Sequence, residues 1–340
     1  MSTFRENHGS EEIMTIGTTA AMPSQHGRRA IVTGATGGLG YETAAALADA
    51  GAEVILAGRN PQKGQAALAR IRAQQPEAQV DFELLDLASL ASVAAFCARI
   101  SQRCRTLDLL INNAGVMALP ERQVTEDGFE MQLGVNYLGH FALTAKLLPL
   151  LRTSGQARVV QLSSIAHRRG EIDLDDLQSE RHYHPWRAYR QSKLAMLMFA
   201  LELQRQSQRA GWGIVSNAAH PGVARTDLFT NGPAANGRRA SIWLLAALAV
   251  PFFSQSAADG ALPTLYAATA LTAQGGGYYG PAGWQELQGP PVAARIMPQA
   301  LDVRVAAELW QRSVALTGAE WGDGISQRVL ESTDINALGA

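Results

Sequence analysis

Cysteine is scarce in this chain of 340 residues: Cys97 and Cys104 are the two present, and both fall in one helix-like segment. That scarcity excludes a disulfide scaffold, and neither thiol stands at metal-site spacing with a histidine pair. A reducing, cytoplasmic location is the expectation. An excess of one charge is also missing. Lys and Arg number 29 against 30 Asp and Glu, a net charge of -1, so no nucleic-acid-binding face is indicated. No apolar run is long enough to span a membrane, which needs about 20 residues. The most apolar stretch, Ser241–Phe253 (SIWLLAALAVPFF), reads as a buried helix or a lid, with contact to a membrane surface as the sharper reading. A secretory leader is not visible, because the first 28 residues lack a basic start followed by an apolar core. Residues 1–27, rich in Ser, Thr, Glu and Gly, are expected to form a flexible extension, and Met14 or Met22 would serve equally as a start.

What is present is ordinary for a folded chain: 47% hydrophobic and 17% charged residues, enough to bury a sizeable core. The length allows one large α/β domain or two smaller ones. Strand-like runs at Ala30–Val32, Glu53–Gly58, Val80–Leu85, Leu107–Ile111, Arg158–Leu162, Gly213–Ala218 and Gly277–Gly280 alternate with helix-like segments. The helical segments are Tyr41–Ala50, Pro61–Gln74, Leu90–Gln102, Phe129–Leu151 and Ala188–Gln208, the last with Leu194, Leu197, Met198 and Leu201 in helical spacing. Such alternation predicts a doubly wound, mostly parallel sheet of about seven strands flanked by helices, the Rossmann arrangement. With no linker and no internal repeat, a single domain over residues 28–322 is expected, followed by a tail at 323–340. Ligands of such sheets bind outside the carboxyl ends of the strands.

The chain is organised around Thr33-Gly34-Ala35-Thr36-Gly37-Gly38-Leu39-Gly40, between the first strand and the first helix. Gly34, Gly38 and Gly40 allow a tight turn and close approach of a ligand, and the helix offers free N–H groups to a pyrophosphate. Thr36 and Leu39 belong to the same candidate dinucleotide turn. At the end of the second strand a carboxylate for a ribose 2′-OH is absent and Arg59 is present. Arg59 could pair with a 2′-phosphate, which favours NADP(H) and leaves NAD(H) as the second choice; the alternative is a solvated surface arginine. Asp86-Leu87 closes the third strand, where Asp86 either accepts from an adenine amino group or caps a helix. Asn113-Ala114-Gly115 closes the fourth, where small residues let backbone lie against a flat ligand.

Tyr189 and Lys193 stand at i and i+4, on one helix face. A tyrosine, with a free pKa of about 10, becomes a usable acid/base when a neighbouring ammonium stabilises its phenolate. Ser163-Ser164 ends the fifth strand, where a hydroxyl could bond the same substrate oxygen or simply cap the next turn.

Thr33–Gly40, Asn113-Ala114-Gly115, Ser164, Tyr189-x-x-x-Lys193 and His220-Pro221-Gly222 occur in the order and spacing of the short-chain dehydrogenase/reductase family, which residues 28–320 resemble. Gly134–Phe141 (GVNYLGHF), Ser163–His167 (SSIAH) and Leu309-Trp310 near Leu316-Thr317-Gly318 look most like the retinol-dehydrogenase and protochlorophyllide-reductase branch. The resemblance implies that Tyr189 is the general acid/base and that Lys193 lowers its pKa and binds the nicotinamide ribose. It further implies that Ser164 orients the substrate carbonyl and that Asn136 holds a water linking Lys193 to solvent. Pro221, Gly222, Val223 and Thr226 would contact the nicotinamide end. The implied reaction interconverts a carbonyl and an alcohol on a small, lipophilic substrate; a carbon–carbon double-bond reductase and a non-catalytic NADP-binding sensor are the alternatives. A lid at 223–260, carrying Trp243, Phe252 and Phe253, would cover the substrate. Many relatives pair through the helices bearing Asn136 and Tyr189, so a homodimer or tetramer is expected, with a monomer as the other outcome. Gln161 departs from the branch, which often has asparagine there; little consequence is expected.

His182 and His184 read as loop histidines rather than metal ligands, and Asp173, Asp175 and Asp176 as a solvated turn, so no metal is expected. His167 is a candidate for the substrate mouth. His140 and Phe141 read as packing residues, and Met196 and Met198 as core.

Overall fold

The computed structural model describes residues 22–224 and 254–322. The alternation produces one eight-stranded sheet in the order β3-β2-β1-β4-β5-β6-β7-β8. Its strands are β1 (Arg29–Thr33), β2 (Glu53–Gly58), β3 (Val80–Leu84), β4 (Leu109–Asn112), β5 (Arg158–Leu162), β6 (Val215–Ala219), β7 (Tyr278–Pro281) and β8 (Pro291–Ala293). Every neighbouring pair is parallel except β7 and β8. Central strands covered on both faces read as unbroken apolar runs, as Ala30-Ile31-Val32 and Leu109-Leu110-Ile111 do; all six residues are fully buried. The strand order reverses between β1 and β4, which places the expected crevice at their carboxyl ends.

Helix α1 (Gly38–Asp49) follows β1. Helix α2 (Pro61–Gln74) has Pro61 in its first turn and Asn60 as its cap, the Asn60 side chain accepting from Lys63 N–H at 2.9 Å. Helix α3 is Leu90–Arg103, capped by Ser89. Helix α4 opens at Met131–Leu133, widens into a π turn over Gly134–Leu138 and continues as Gly139–Ser154. Helix α5 is Pro185–Ala210 and stops at Gly211 in the left-handed region. Helix α6 is Ala257–Thr269 and α7 is Val303–Thr317.

Three features differ from the sequence expectation. An eighth strand pairs antiparallel at the edge; it is short and begins with Pro291, and such a strand carries little β signal. Helix α6 contains Gly260 and Pro263, both poor helix formers, and is held by packing on α1 rather than by propensity. Residues 257–260, expected in the lid, thus begin this packed helix. The remainder of the lid expectation, 225–253 with Thr226, Trp243, Phe252, Phe253 and the Ser241–Phe253 run, lies outside the described residues, as do residues 1–21 of the extension and the tail 323–340. Among the described residues no helix is long and apolar enough to cross a membrane.

Helix α7 and the residues after it close the core. Trp310 and Trp321 lie 4.4 Å apart between ring centroids, and each stands 5.0 Å from Phe141 of α4. Phe199 of α5 and Tyr137 complete the cluster. Met196 and Met198 are core residues, as read. Truncating Trp310 opens a cavity that its aromatic neighbours cannot collapse into. Trp310→Ala is therefore expected to cost about 3–5 kcal/mol of unfolding free energy, read from urea denaturation midpoints at unchanged slope.

Candidate active site

The glycine turn has the shape its residues demand. Gly34 lies in the left-handed region at φ +66°, and a Cβ on Gly40 would stand 2.4 Å from the Gly34 carbonyl oxygen. Only glycine fits there. Helix α1 starts without a side-chain cap, so its first N–H groups remain for a ligand. The turn forms one wall of a cleft of about 740 Å³, and Gly34, Thr36, Gly38, Leu39 and Gly40 all line it. Asn113, Ala114 and Gly115 line the facing wall, and Arg59, Asp86 and Leu87 the far end. Pro221 and Gly222 reach it from the other side. Asp86 is used locally as well, its Oδ1 accepting from Ala88 N–H at 2.9 Å. Val223 does not line the cleft; its N–H donates to Leu287 O at 2.9 Å. These small and glycine-rich walls, with uncapped helix N–H groups, fit an elongated dinucleotide.

Two groups missing from the sequence reading shape this end. Thr33 Oγ1 accepts from Asn113 N–H at 2.9 Å and from Ala114 N–H at 3.0 Å. Its own proton then points to His140 Nε2 at 2.8 Å, and His140 Nδ1–H donates to the Asn136 carbonyl at 2.9 Å. His140 is thus a polar link, while Phe141 is packing, as expected. Burial drives the His140 pKa down to about 3, so the ring is neutral, as this chain of bonds requires. Lys63 is the other group. It lines the cleft beside Arg59 at the first turn of α2. The chain has only three lysines, Lys63, Lys146 and Lys193, and two of them line the cleft; that composition was the available signal.

Ser164, Tyr189 and Lys193 line the same cleft. Ser164 caps a short 3-10 turn, Ile165–Arg169, accepting from Ala166 N–H at 3.2 Å. Tyr189 is hydrogen-bonded to Ser164. Burial pushes its phenol above the ordinary value, and the Ser164 bond opposes this. Lys193 Nζ donates to Leu162 O at 2.9 Å and stands 6.0 Å from the centre of the Tyr189 ring. Burial pulls Lys193 down to about 8. Lys193 Nζ is thus directed at the Leu162 carbonyl, and the bond with Ser164 opposes the rise of the Tyr189 pKa. Asn136 sits behind the cleft on the π turn of α4, a distortion frequent at functional sites. Its Oδ1 accepts from Val116 N–H at 2.7 Å, and its Nδ2 donates to Val116 O at 3.0 Å and Ser192 Oγ at 2.9 Å.

Val116, Met117, Leu119, Val135 and Leu162 give the cleft an apolar wall. His167, expected at the mouth, is instead buried beneath the turn, its Nδ1 bonded to Ser164 O at 2.7 Å. His182 and His184 are exposed. Asp173 caps its own turn by accepting from Asp175 and Asp176 N–H. Gln161 is buried and accepts from Asn112 Nδ2 at 2.9 Å.

The chain is similar to known proteins. The short chain dehydrogenase family profile matches residues 28–236. The polyprenol dehydrogenase of Mus musculus is 42% identical over 309 residues, 89% of this chain and 87% of that protein. Human retinol dehydrogenase 13 is 42% identical over 311 residues, 89% of each. A crystal structure of an uncharacterized protein from Mycobacterium paratuberculosis, 40% identical, superposes with a TM-score of 0.73 and covers 90% of this chain and 98% of that one. A Beutenbergia cavernae structure with bound NADP, described as an NAD(P)-dependent gluconate 5-dehydrogenase, is 25% identical with a TM-score of 0.57, covering 74% and 92%.

Neutral His140 makes stability depend on pH. Its folded pKa lies below the unfolded value, so its contribution is complete above about pH 6.5 and shrinks as pH falls toward the folded pKa. His167, lowered to about 4 by burial, acts in the same window. Unfolding free energy should therefore fall between pH 6.5 and 4. In His140→Asn the slope in that window should lessen by up to about 1.4 kcal/mol per pH unit. Urea unfolding across that pH range measures it.

Proposed function

The chain belongs to the short-chain dehydrogenase/reductase family of oxidoreductases, and from that premise we propose that it interconverts an alcohol and a carbonyl on a small lipophilic substrate, with NADP(H) as its cofactor. The observation carrying this reading is the convergence of Ser164, Tyr189 and Lys193 on the cleft that the glycine turn lines.

When bound, NADP(H) supplies or accepts the hydride. Arg59 and Lys63 are exposed cations that line the cleft, and the end of β2 (Ala57-Gly58-Arg59-Asn60) supplies no carboxylate for a 2′-OH, which supports a 2′-phosphate there and hence NADP(H) over NAD(H). Asn113–Gly115, Pro221 and Gly222 hold the cofactor between them. Ser164 orients the substrate oxygen. Tyr189, in hydrogen-bond contact with Ser164, gives that oxygen a proton in reduction and takes it back in oxidation. Lys193 restores the proton of Tyr189. The second lone pair of Asn136 Oδ1 is the acceptor through which a water would connect Lys193 to solvent, its main-chain carbonyl already accepting from His140. The apolar wall from Val116 to Leu119 supports a lipophilic substrate, as do relatives named for polyprenol and retinol, both apolar alcohols. The free, buried thiols of Cys97 and Cys104 suit a reducing cytoplasm.

Loss of NADPH absorbance over a panel of apolar aldehydes and ketones tests the reading. Turnover is expected with NADPH preferred to NADH. Tyr189→Phe should lower kcat by about 10²- to 10⁴-fold while NADPH still binds. NADPH binding with no turnover of any panel member would sink it in favour of a sensor. Separately, Arg59→Ala should raise the KM for NADPH about ten-fold and leave that for NADH unchanged, as loss of one charge-assisted bond implies; equal effects on both cofactors would remove the 2′-phosphate assignment.

A further inference from the structure

The segment between β7 and β8 holds two consecutive residues in the left-handed region, Gln285 at φ 53° and Glu286 at φ 59°. Neither is glycine, so each position costs conformational energy that surrounding contacts must offset. The contacts converge on the Glu286 carboxylate. Oε2 accepts from His220 Nε2 at 2.8 Å and from Arg168 Nη2 at 2.7 Å, and Oε1 accepts from Arg295 N–H at 3.1 Å. Arg168 also donates to Gln285 O at 3.2 Å. Burial raises the Glu286 pKa, but the His220 bond, the Arg295 N–H and the Arg168 charge outweigh it and bring it to about 2, so the carboxylate is ionised.

The two side-chain partners belong to different turns, at the carboxyl ends of the neighbouring strands β5 and β6. Arg168 lies in the 3-10 turn that Ser164 caps. His220 opens the Pro221–Val223 turn and is fully buried. Gly222 N–H donates to His220 Nδ1 at 3.2 Å. Since a backbone N–H can only donate, Nδ1 carries no proton and Nε2–H donates to Glu286. The same strap closes on the turn directly: Val223 N–H donates to Leu287 O at 2.9 Å, and a Cβ on Gly222, at φ +61°, would stand 2.2 Å from that oxygen. Gln299 Nε2 holds the Ser164 turn from its other side, donating to Arg168 O at 3.1 Å.

We propose that Glu286 is a positioning residue for two neighbouring turns that line the reaction centre, setting the Ser164 turn through Arg168 and the Pro221–Val223 turn through His220. This rests on the function proposed above. Glu286 touches neither Ser164 nor the cleft; it acts through a pair of arms anchored on one carboxylate, and the strap's unfavourable backbone is retained because those arms hold it. The arms separate experimentally. Arg168→Met keeps the stem and loses the guanidinium. His220→Asn keeps an acceptor for Gly222 N–H, in the manner of an Asx turn, but is too short for Glu286. Glu286→Gln weakens both.

Hydrogen exchange read by mass spectrometry, with steady-state kinetics on the same proteins, decides between outcomes. Glu286→Gln should speed exchange in both 165–170 and 220–224, Arg168→Met in the first segment alone, and His220→Asn in the second alone. With turnover, Arg168→Met should lower kcat about ten-fold with the NADPH KM within two-fold, His220→Asn should raise that KM about ten-fold with kcat much less affected, and Glu286→Gln should do both. Unchanged exchange in either segment of Glu286→Gln would overturn the proposal. So would losses that are the same for all three variants and track their melting temperatures. A wild type that turns over no carbonyl would defeat the functional reading, while the exchange pattern would still decide the role of Glu286.

Discussion

Thr33 Oγ1 is the point on which the site's geometry depends. Parallel pairing of β1 with β4 ends at Val32 opposite Ile111, and beyond it both chains must part to make room for a ligand. Parting leaves the N–H group of Asn113 with only the local Ile111 carbonyl at 3.0 Å and that of Ala114 with no cross-strand carbonyl, and a buried unpaired donor costs about 1–3 kcal/mol. Thr33 accepts from both with one oxygen, and its proton lies between His140 Nε2 at 2.8 Å and the Ile111 carbonyl at 3.3 Å, the nearer of which accepts because His140 Nδ1 carries the ring proton. Asn113 Nδ2 in turn donates to Thr33 O at 2.7 Å, closing the two walls against each other. Through the His140 ring the constraint reaches the Asn136 carbonyl on the π turn. The glycine turn, the Asn113–Gly115 wall and the Asn136 helix are therefore one hydrogen-bonded unit, with the ring neutral as that pattern requires.

On the other wall, burial governs. Every residue of α5 from Gln191 to Leu203 is buried, so Lys193 extends from an element with almost no water around it. Desolvation lowers the lysine and raises the tyrosine, pushing both toward their neutral forms. A phenol held protonated is a ready donor; to serve as a base it needs the charge of Lys193 brought to bear. In this structure that ammonium is directed at Leu162 O instead. The i, i+4 spacing thus sets proximity, while the direction of each shift is decided by what encloses the pair.

Local chemistry explains which parts were legible in the sequence. The glycine turn and the strands β1 to β6 are written in short segments, and those appear with ends shifted by at most a few residues. Tyr189, Lys193 and Ser164 could be named because their spacing resembles a known pattern. His140 could not: its role needs Thr33, 107 positions away, and nothing near it marks a polar partner. Lys63 was hidden by lying inside a segment read only as a helix, with no motif around it to mark a ligand contact. Glu286 was least legible of all, since Gln285 and Glu286 adopt a backbone that their own side chains disfavour, and tertiary contacts alone account for it. The edge strand β8 escaped for the same reason, being defined by pairing with β7 rather than by composition.

The aromatic cluster bears on how the reaction helices are held. Phe141 and Phe199 lie on α4 and α5, the two helices through which copies were expected to associate, and Trp310 and Trp321 already cover that face from within the chain. A second copy could not bury those rings without first displacing α7, which would expose large apolar surfaces at a cost of several kcal/mol. The rings of Phe141 and Phe199 are thus committed to contacts within the chain. The sheet, α4 and α7 pack on α5 from successive sides, and those contacts orient the helix that carries Tyr189 and Lys193.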